Sequence, residues 1–384
     1  MSTVDRRCRF DADAALLASP RKALIFKAKI FGTPLHHGSG IARRRERYGP
    51  TQRNANFMDR KMSKMSLYRD NLPQLADRLF LTDSGLETML IFHEGYELNQ
   101  FASFELLKTE SGRRRLLDYY RQHASTAAAA GMGFILETPT WRSNADWGQK
   151  LGYSAEALAE LNRQSITLMR EVRDELATPE CPMVISGNIG PLGDGYAAGT
   201  MGADEAEALH APQIRTFAET EADLVSAFTM TNADEAIGVT RAAVKAGMPV
   251  VISFTVETDG RLPTGQSLKD AIAAVDAATG NAPVYYMINC AHPTHFESVL
   301  AANEPWVERL RGVRANASRR SHAELDEAKD LDDGNPVELG QQYRKLRGKL
   351  RHITVLGGCC GTDHRHVEQI CFACSPVSDL KTAC

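Results

Sequence analysis

The chain has 384 residues, 43% of them hydrophobic and 24% charged, with a formal net charge of −3. That composition belongs to a globular protein, and no segment reaches the ~20 consecutive apolar residues of a bilayer span. Its thiols do not form a dense disulfide framework, which points to a reducing, cytoplasmic setting.

Charge is unevenly spread. Residues 1–60 carry 13 basic and 5 acidic side chains, a net of +8, and the remainder carries −11. The basic stretch includes Arg43-Arg44-Arg45-Glu46-Arg47 and keeps no hydrophobic period. It reads as a basic, disordered extension over residues 1–65, too polar to pack a core, ahead of a folded domain over residues 66–384. Met58, Met62 and Met65 offer internal starts. Asp5, Asp11 and Asp13 argue against a targeting peptide. The acidic remainder argues against nucleic acid as a partner, and no membrane partner is expected.

From residue 75 onward, short apolar strands alternate with longer amphipathic helices. The strands read as 79–82, 133–137, 183–187, 224–229, 250–254, 284–289, 313–316 and 353–356. The helices between them read as 113–130, 155–176, 204–221, 233–246, 267–278 and 337–350. Such alternation implies right-handed crossovers and a parallel sheet. Eight units over about 300 residues predict an α/β fold, a (β/α)8 TIM barrel. An open doubly wound sheet lacks its mark, because no G-x-G-x-x-G follows the first strand.

Chemistry in such a barrel belongs at the C-terminal strand ends, and the unusual residues fall there. Strand one ends in Asp83-Ser84-Gly85, strand two in Glu137-Thr138-Pro139-Thr140-Trp141, and strand three in Gly187-Asn188-Ile189-Gly190-Pro191. Strand six ends in Asn289-Cys290, strand seven in Asn316, and strand eight in Gly357-Gly358-Cys359-Cys360-Gly361-Thr362. A lone cysteine is often a small buried hydrophobe. Three thiols on two strand ends could instead share one metal, and zinc takes thiolates tetrahedrally, leaving an open position in catalytic sites. Cys371 and Cys374 form a CxxC on a C-terminal helix and read as structural. His292, His295, His364 and His366 read as polar helix starts, with Pro293 opening one helix and Thr362-Asp363 capping the other. Trp141 and Tyr196 are candidates to line a donor pocket. The glycines of 187–195 lack the Gly-Lys-Ser/Thr ending of a phosphate loop.

These strand ends resemble the homocysteine S-methyltransferase family over about residues 76–372. The likeness rests on Asp83-Ser84-Gly85-Leu86-Glu87-Thr88, Gly187–Pro191, Ile252-Ser253-Phe254, Ile288-Asn289-Cys290 and Gly357–Thr362. It implies a zinc ion on Cys290, Cys359 and Cys360, with the thiol of homocysteine or a related acceptor taking the fourth position. A free thiol has a pKa of ~8.5, and coordination would deprotonate it. The bound sulfur would then attack a methyl group on a sulfonium or ammonium donor: S-methylmethionine, S-adenosylmethionine or betaine. The product from homocysteine would be methionine, a place in methionine biosynthesis.

One departure stands out. Family members commonly carry a glutamate for the substrate ammonium at the end of strand four, within a Phe-Glu-Thr-like triplet. Here that stretch is Phe228-Thr229-Met230-Thr231-Asn232. Asp83 and Glu137 are the acids able to take over, and the expected substrate contacts are Asp83, Gly85, Glu137, Thr138 and Asn289. Two alternatives remain at this stage: a zinc hydrolase on the same barrel, and a zinc-binding protein without catalysis.

Overall fold

The computed structural model describes residues 66–300 and 304–375. The basic extension and the internal starts proposed above lie outside the described residues. Eight parallel strands close into one barrel in sequential order: β1 Phe80–Leu81, β2 Gly133–Glu137, β3 Met183–Ile189, β4 Leu224–Met230, β5 Val250–Phe254, β6 Tyr285–Asn289, β7 Leu310–Ala315 and β8 Val355–Gly358. Closure pairs β1 with β8, Phe80 opposite Val355 and Leu81 opposite Leu356. The (β/α)8 expectation is met.

The crossover helices follow the strands in turn: α1 Glu110–Ala129, α2 Ala155–Leu176, α3 Ala203–Ala218, α4 Ala233–Lys245, α5 Leu268–Thr279, α6 Pro293–Leu300, α7 Pro336–Lys349 and α8 His364–Cys374. Their starts are chemically fixed. Thr109, Ser154, Asn232, Ser267 and Asn335 each accept a backbone N–H of the first turn, satisfying donors that the helix itself leaves orphaned. Asp363 caps α8 and forms a capping box with His366, as the sequence suggested. Cys371 and Cys374 lie buried on this helix in the core, away from the strand ends that carry Cys290, Cys359 and Cys360.

Strand alternation sorts the core into two parts. Outward residues such as Phe134, Ile185, Val225, Ile252 and Ile288 pack against the helices. Inward residues Phe80, Ile135, Val184, Leu224, Val251, Tyr285 and Val355 fill the barrel from within, and Leu72 closes its N-terminal end. One step further along the strands the same alternation brings Glu137, Ser186, Ser226, Ser253, Asn289 and Arg314 to the inner face, all buried. A polar layer therefore sits on an apolar plug, directly beneath the rim where the cysteines lie.

Candidate functional site

Cys290 follows β6, and Cys359 and Cys360 follow β8. One ligand atom from each lies within 4.8 Å of the others, and among the described residues no other His, Cys, Asp or Glu group of this kind forms. Cys290 and Cys359 are joined as a disulfide in this structure, and Cys360 is a free thiol. Cys290 Sγ and Cys360 Sγ are 3.9 Å apart. Two sulfurs on a tetrahedral zinc, each at ~2.3 Å, stand about 3.8 Å apart, so the Cys290–Cys360 spacing and the soft donor set fit such an ion once the Cys290–Cys359 disulfide is reduced to two thiolates.

Backbone geometry makes the cluster possible. Cys290 has φ +53° and Thr229 φ +61°, the left-handed region that non-glycine residues rarely enter, a β-branched one least of all. Several bonds pin these conformations. Cys290 N–H donates to Arg314 O at 3.1 Å, and the Cys290 carbonyl accepts from Asn316 Nδ2 at 3.0 Å and His322 Nε2 at 2.6 Å. Gly85 lets the β1 loop lie on the cysteine turn, since a Cβ there would strike the Cys359 carbonyl. Gly357 does the same against Thr82.

Tyr196, on the loop after β3, stacks on His322 with ring centroids 4.0 Å apart. Its hydroxyl is 3.2 Å from Cys360 Sγ. Burial, reinforced by Cys360, pushes the phenol well above its ordinary pKa, so it keeps its proton and can donate to sulfur. The four histidines read as helix starts serve elsewhere. His292 Nδ1 meets Thr294 Oγ1 at 2.8 Å, His295 Nε2 meets Arg319 O at 2.9 Å, and His366 Nε2 meets Asp333 O at 2.8 Å. His364 begins α8 behind the Asp363 cap.

A cavity of about 100 Å³ opens beside the sulfurs, lined by all three cysteines and by Asp83, Gly85, Glu137, Thr138, Asn289 and Arg314 among others. Every substrate contact expected from the sequence thus borders one space, but these residues differ in what they have left to offer. Asn289 Oδ1 accepts from Thr229 N at 2.9 Å and Ser253 Oγ at 2.7 Å, while its Nδ2 donates to Thr229 Oγ1 at 2.9 Å. Thr138 Oγ1 meets Thr140 Oγ1 at 2.7 Å and accepts from Asn188 N at 2.9 Å. Asp83 faces Arg314 Nη2 at 2.8 Å in an ion pair of poor hydrogen-bond alignment, and its other oxygen accepts from Tyr119 at 3.1 Å. Glu137 is freer. Oε1 accepts from Ser226 at 3.2 Å, whereas buried Oε2 has no partner. Burial raises its pKa to about 7, against the pull of Arg314. The sequence reading passed over Arg314, whose guanidinium is the cation of this layer.

The fold has solved counterparts. Homocysteine methyltransferase MmuM from Escherichia coli, in its oxidized form, aligns with a TM-score of 0.61 at 18% identity over 78% of this chain and 97% of that one. Its metallated form gives 0.58 at 18% identity over 78% and 98%. In sequence, a methionine synthase from Mycobacterium leprae is 24% identical over 326 residues, 81% of this chain but 25% of that protein, so the chain spans a quarter of that relative's length. The profile of the homocysteine S-methyltransferase family matches residues 80–374, nearly all of the barrel, and the chain belongs to that family.

Proposed function

We propose that this protein transfers a methyl group from a sulfonium or ammonium donor to a thiol, with homocysteine giving methionine as the leading reaction. The observation that carries this reading is the three-sulfur cluster opening on a cavity at the barrel rim. Zinc is the ion proposed for Cys290, Cys359 and Cys360, and when bound it would lower the pKa of an acceptor thiol so that the sulfur is nucleophilic at neutral pH.

The chain's own residues supply the rest. Tyr196 donates toward Cys360 and holds that sulfur in place. Glu137 offers its unpartnered Oε2 to the acceptor ammonium, the role that Thr229 cannot fill. Phe228 and Trp141 border the cavity with apolar surface, which limits water around the reacting sulfur. Alignment of sulfur and methyl carbon then accounts for the acceleration. The donor is one of S-methylmethionine, S-adenosylmethionine or betaine, and the proposed compartment is the cytosol. No helix among the described residues is long and apolar enough to cross a membrane. The hydrolase alternative is not favoured, since the cluster contains neither histidine nor carboxylate.

Metal analysis and a methyl-transfer assay test the proposal together. Purified protein should hold one zinc per chain and methylate homocysteine with at least one of the three donors. The Cys359→Ala, Cys360→Ala double variant should lose both properties. Full zinc retention in that variant would remove the proposed metal site.

A further inference from the structure

Resting on the thiol-acceptor reading above, the geometry points to Arg314 as the group that recognises the acceptor's carboxylate, so that Arg314 and Glu137 together clamp an α-amino-acid zwitterion from opposite ends. Arg314 comes from the inner face of β7 and is 7% exposed. Nε donates to Gly358 O at 3.0 Å, and Nη2 donates to Ser84 O at 3.1 Å while pairing with Asp83. These bonds fix the plane of the fork, and Phe228 packs against it 5.0 Å from the guanidinium carbon. Nη1 has no hydrogen-bond partner among the described residues, and the side chain borders the cavity that holds the three sulfurs. A buried cation at the wall of a cavity, with N–H groups left over from its own hydrogen bonds, is matched by an anionic ligand, and an arginine fork suits a carboxylate.

Charge balance selects a zwitterion over a simple mercapto acid. Asp83 already faces Arg314, and Glu137 feels the same cation. A lone carboxylate entering this layer would bring a second acid against Glu137. A ligand carrying ammonium and carboxylate on one carbon gives Glu137 Oε2 a cation and Arg314 Nη1 an anion, so neither buried charge lacks a partner.

The test compares three thiols bound to the full zinc-loaded chain by calorimetry: homocysteine, 3-mercaptopropylamine without the carboxylate, and 4-mercaptobutyrate without the ammonium. Wild-type protein should prefer homocysteine over 3-mercaptopropylamine by about 10- to 100-fold, the range of one charge-assisted contact. Removing Arg314 alone would strand the buried Asp83 carboxylate, so the informative variant is Asp83→Asn with Arg314→Gln. It should keep its zinc and lose more affinity for homocysteine than for 3-mercaptopropylamine, so that the preference between them collapses. Arg314→Lys should retain part of that preference, having charge without the fork. Equal binding of the two thiols by wild-type protein would overturn the assignment even where homocysteine is methylated. A double variant that weakens both thiols by the same factor would overturn it too. If no thiol binds at all, the acceptor reading itself falls, and this inference with it.

Discussion

Glu137 is the titrating group on which the pH behaviour of the site turns. It is faced by Arg314 from β7, Asp83 after β1, Ser186 and Ser226 from β3 and β4, and Tyr285 from β6. Burial outweighs the help of Arg314 and lifts its pKa from 4.5 to about 7. Because the folded value exceeds the unfolded one, Glu137 favours the fold most at acidic pH, and that contribution is lost as pH rises through about 7. Glu137→Gln should therefore gain stability relative to wild type between pH ~5 and pH ~8, read from urea midpoints. Function moves the other way, since only the ionised carboxylate can hold an ammonium. The wild-type KM for homocysteine should fall as pH rises through about 7. Glu137→Gln should flatten that trend and raise KM by about 10- to 100-fold at pH ~8, with 4-mercaptobutyrate little affected. An equal loss for both thiols would mean that Glu137 does not read the ammonium. Glu137 and the cysteines were legible in the sequence because they end strands, where a barrel exposes side chains to its mouth. Arg314 was not, because Val313-Arg314-Ala315-Asn316 reads as a strand without saying which alternating face meets the interior. Only the barrel's closure decides that.

Among the elements, β4 departs from an ideal strand. Its register with β5 shifts between Ala227 and Met230, and Thr229 at φ +61° lies within the shift. The sequence located the strand but could not announce the bulge, because the bulge depends on a side chain about sixty residues away: Asn289 on β6 clasps both Thr229 N and Thr229 Oγ1. Cys290 follows immediately in its own left-handed conformation, so one asparagine braces two strained positions. Asn289→Ala should leave Thr229 N–H and Ser253 Oγ without their acceptor, costing about 1–3 kcal/mol of unfolding free energy. It should also weaken zinc retention by loosening Cys290. A variant as stable as wild type, with undiminished metal content, would show that the bulge is held by other means. The helices were easier to read, since Ser154, Asn232, Ser267 and Asp363 are capping residues whose preference is local.

At the scale of the whole molecule, the two ends of the barrel are built for different tasks. The C-terminal rim spends backbone strain and buried charge on the cavity, and the opposite end must supply order to offset them. Leu72 packs on the inner plug, and Tyr68 N–H donates to Asp223 Oδ1 at 2.8 Å. Arg69 donates to the carbonyls of Ala218, Thr220 and Ala222 at 2.7–3.2 Å, tying the entering chain to the turn between α3 and β4. Residues 68–72 therefore work as a clasp, whereas residues 1–60 carry a net charge of +8 and no sustained hydrophobic period. A chain beginning at Met62 should keep the melting temperature and turnover of the full chain. One beginning at Asn71 should melt lower, because it loses the Arg69 and Tyr68 bonds, at roughly 2–4 °C for each kcal/mol removed. Thermal scans of the three proteins, with zinc content measured on each, separate the contributions. A large loss already at Met62 would mean that the basic segment stabilises the barrel, and its charge would then have to be explained by contacts with the acidic domain rather than by independence from it.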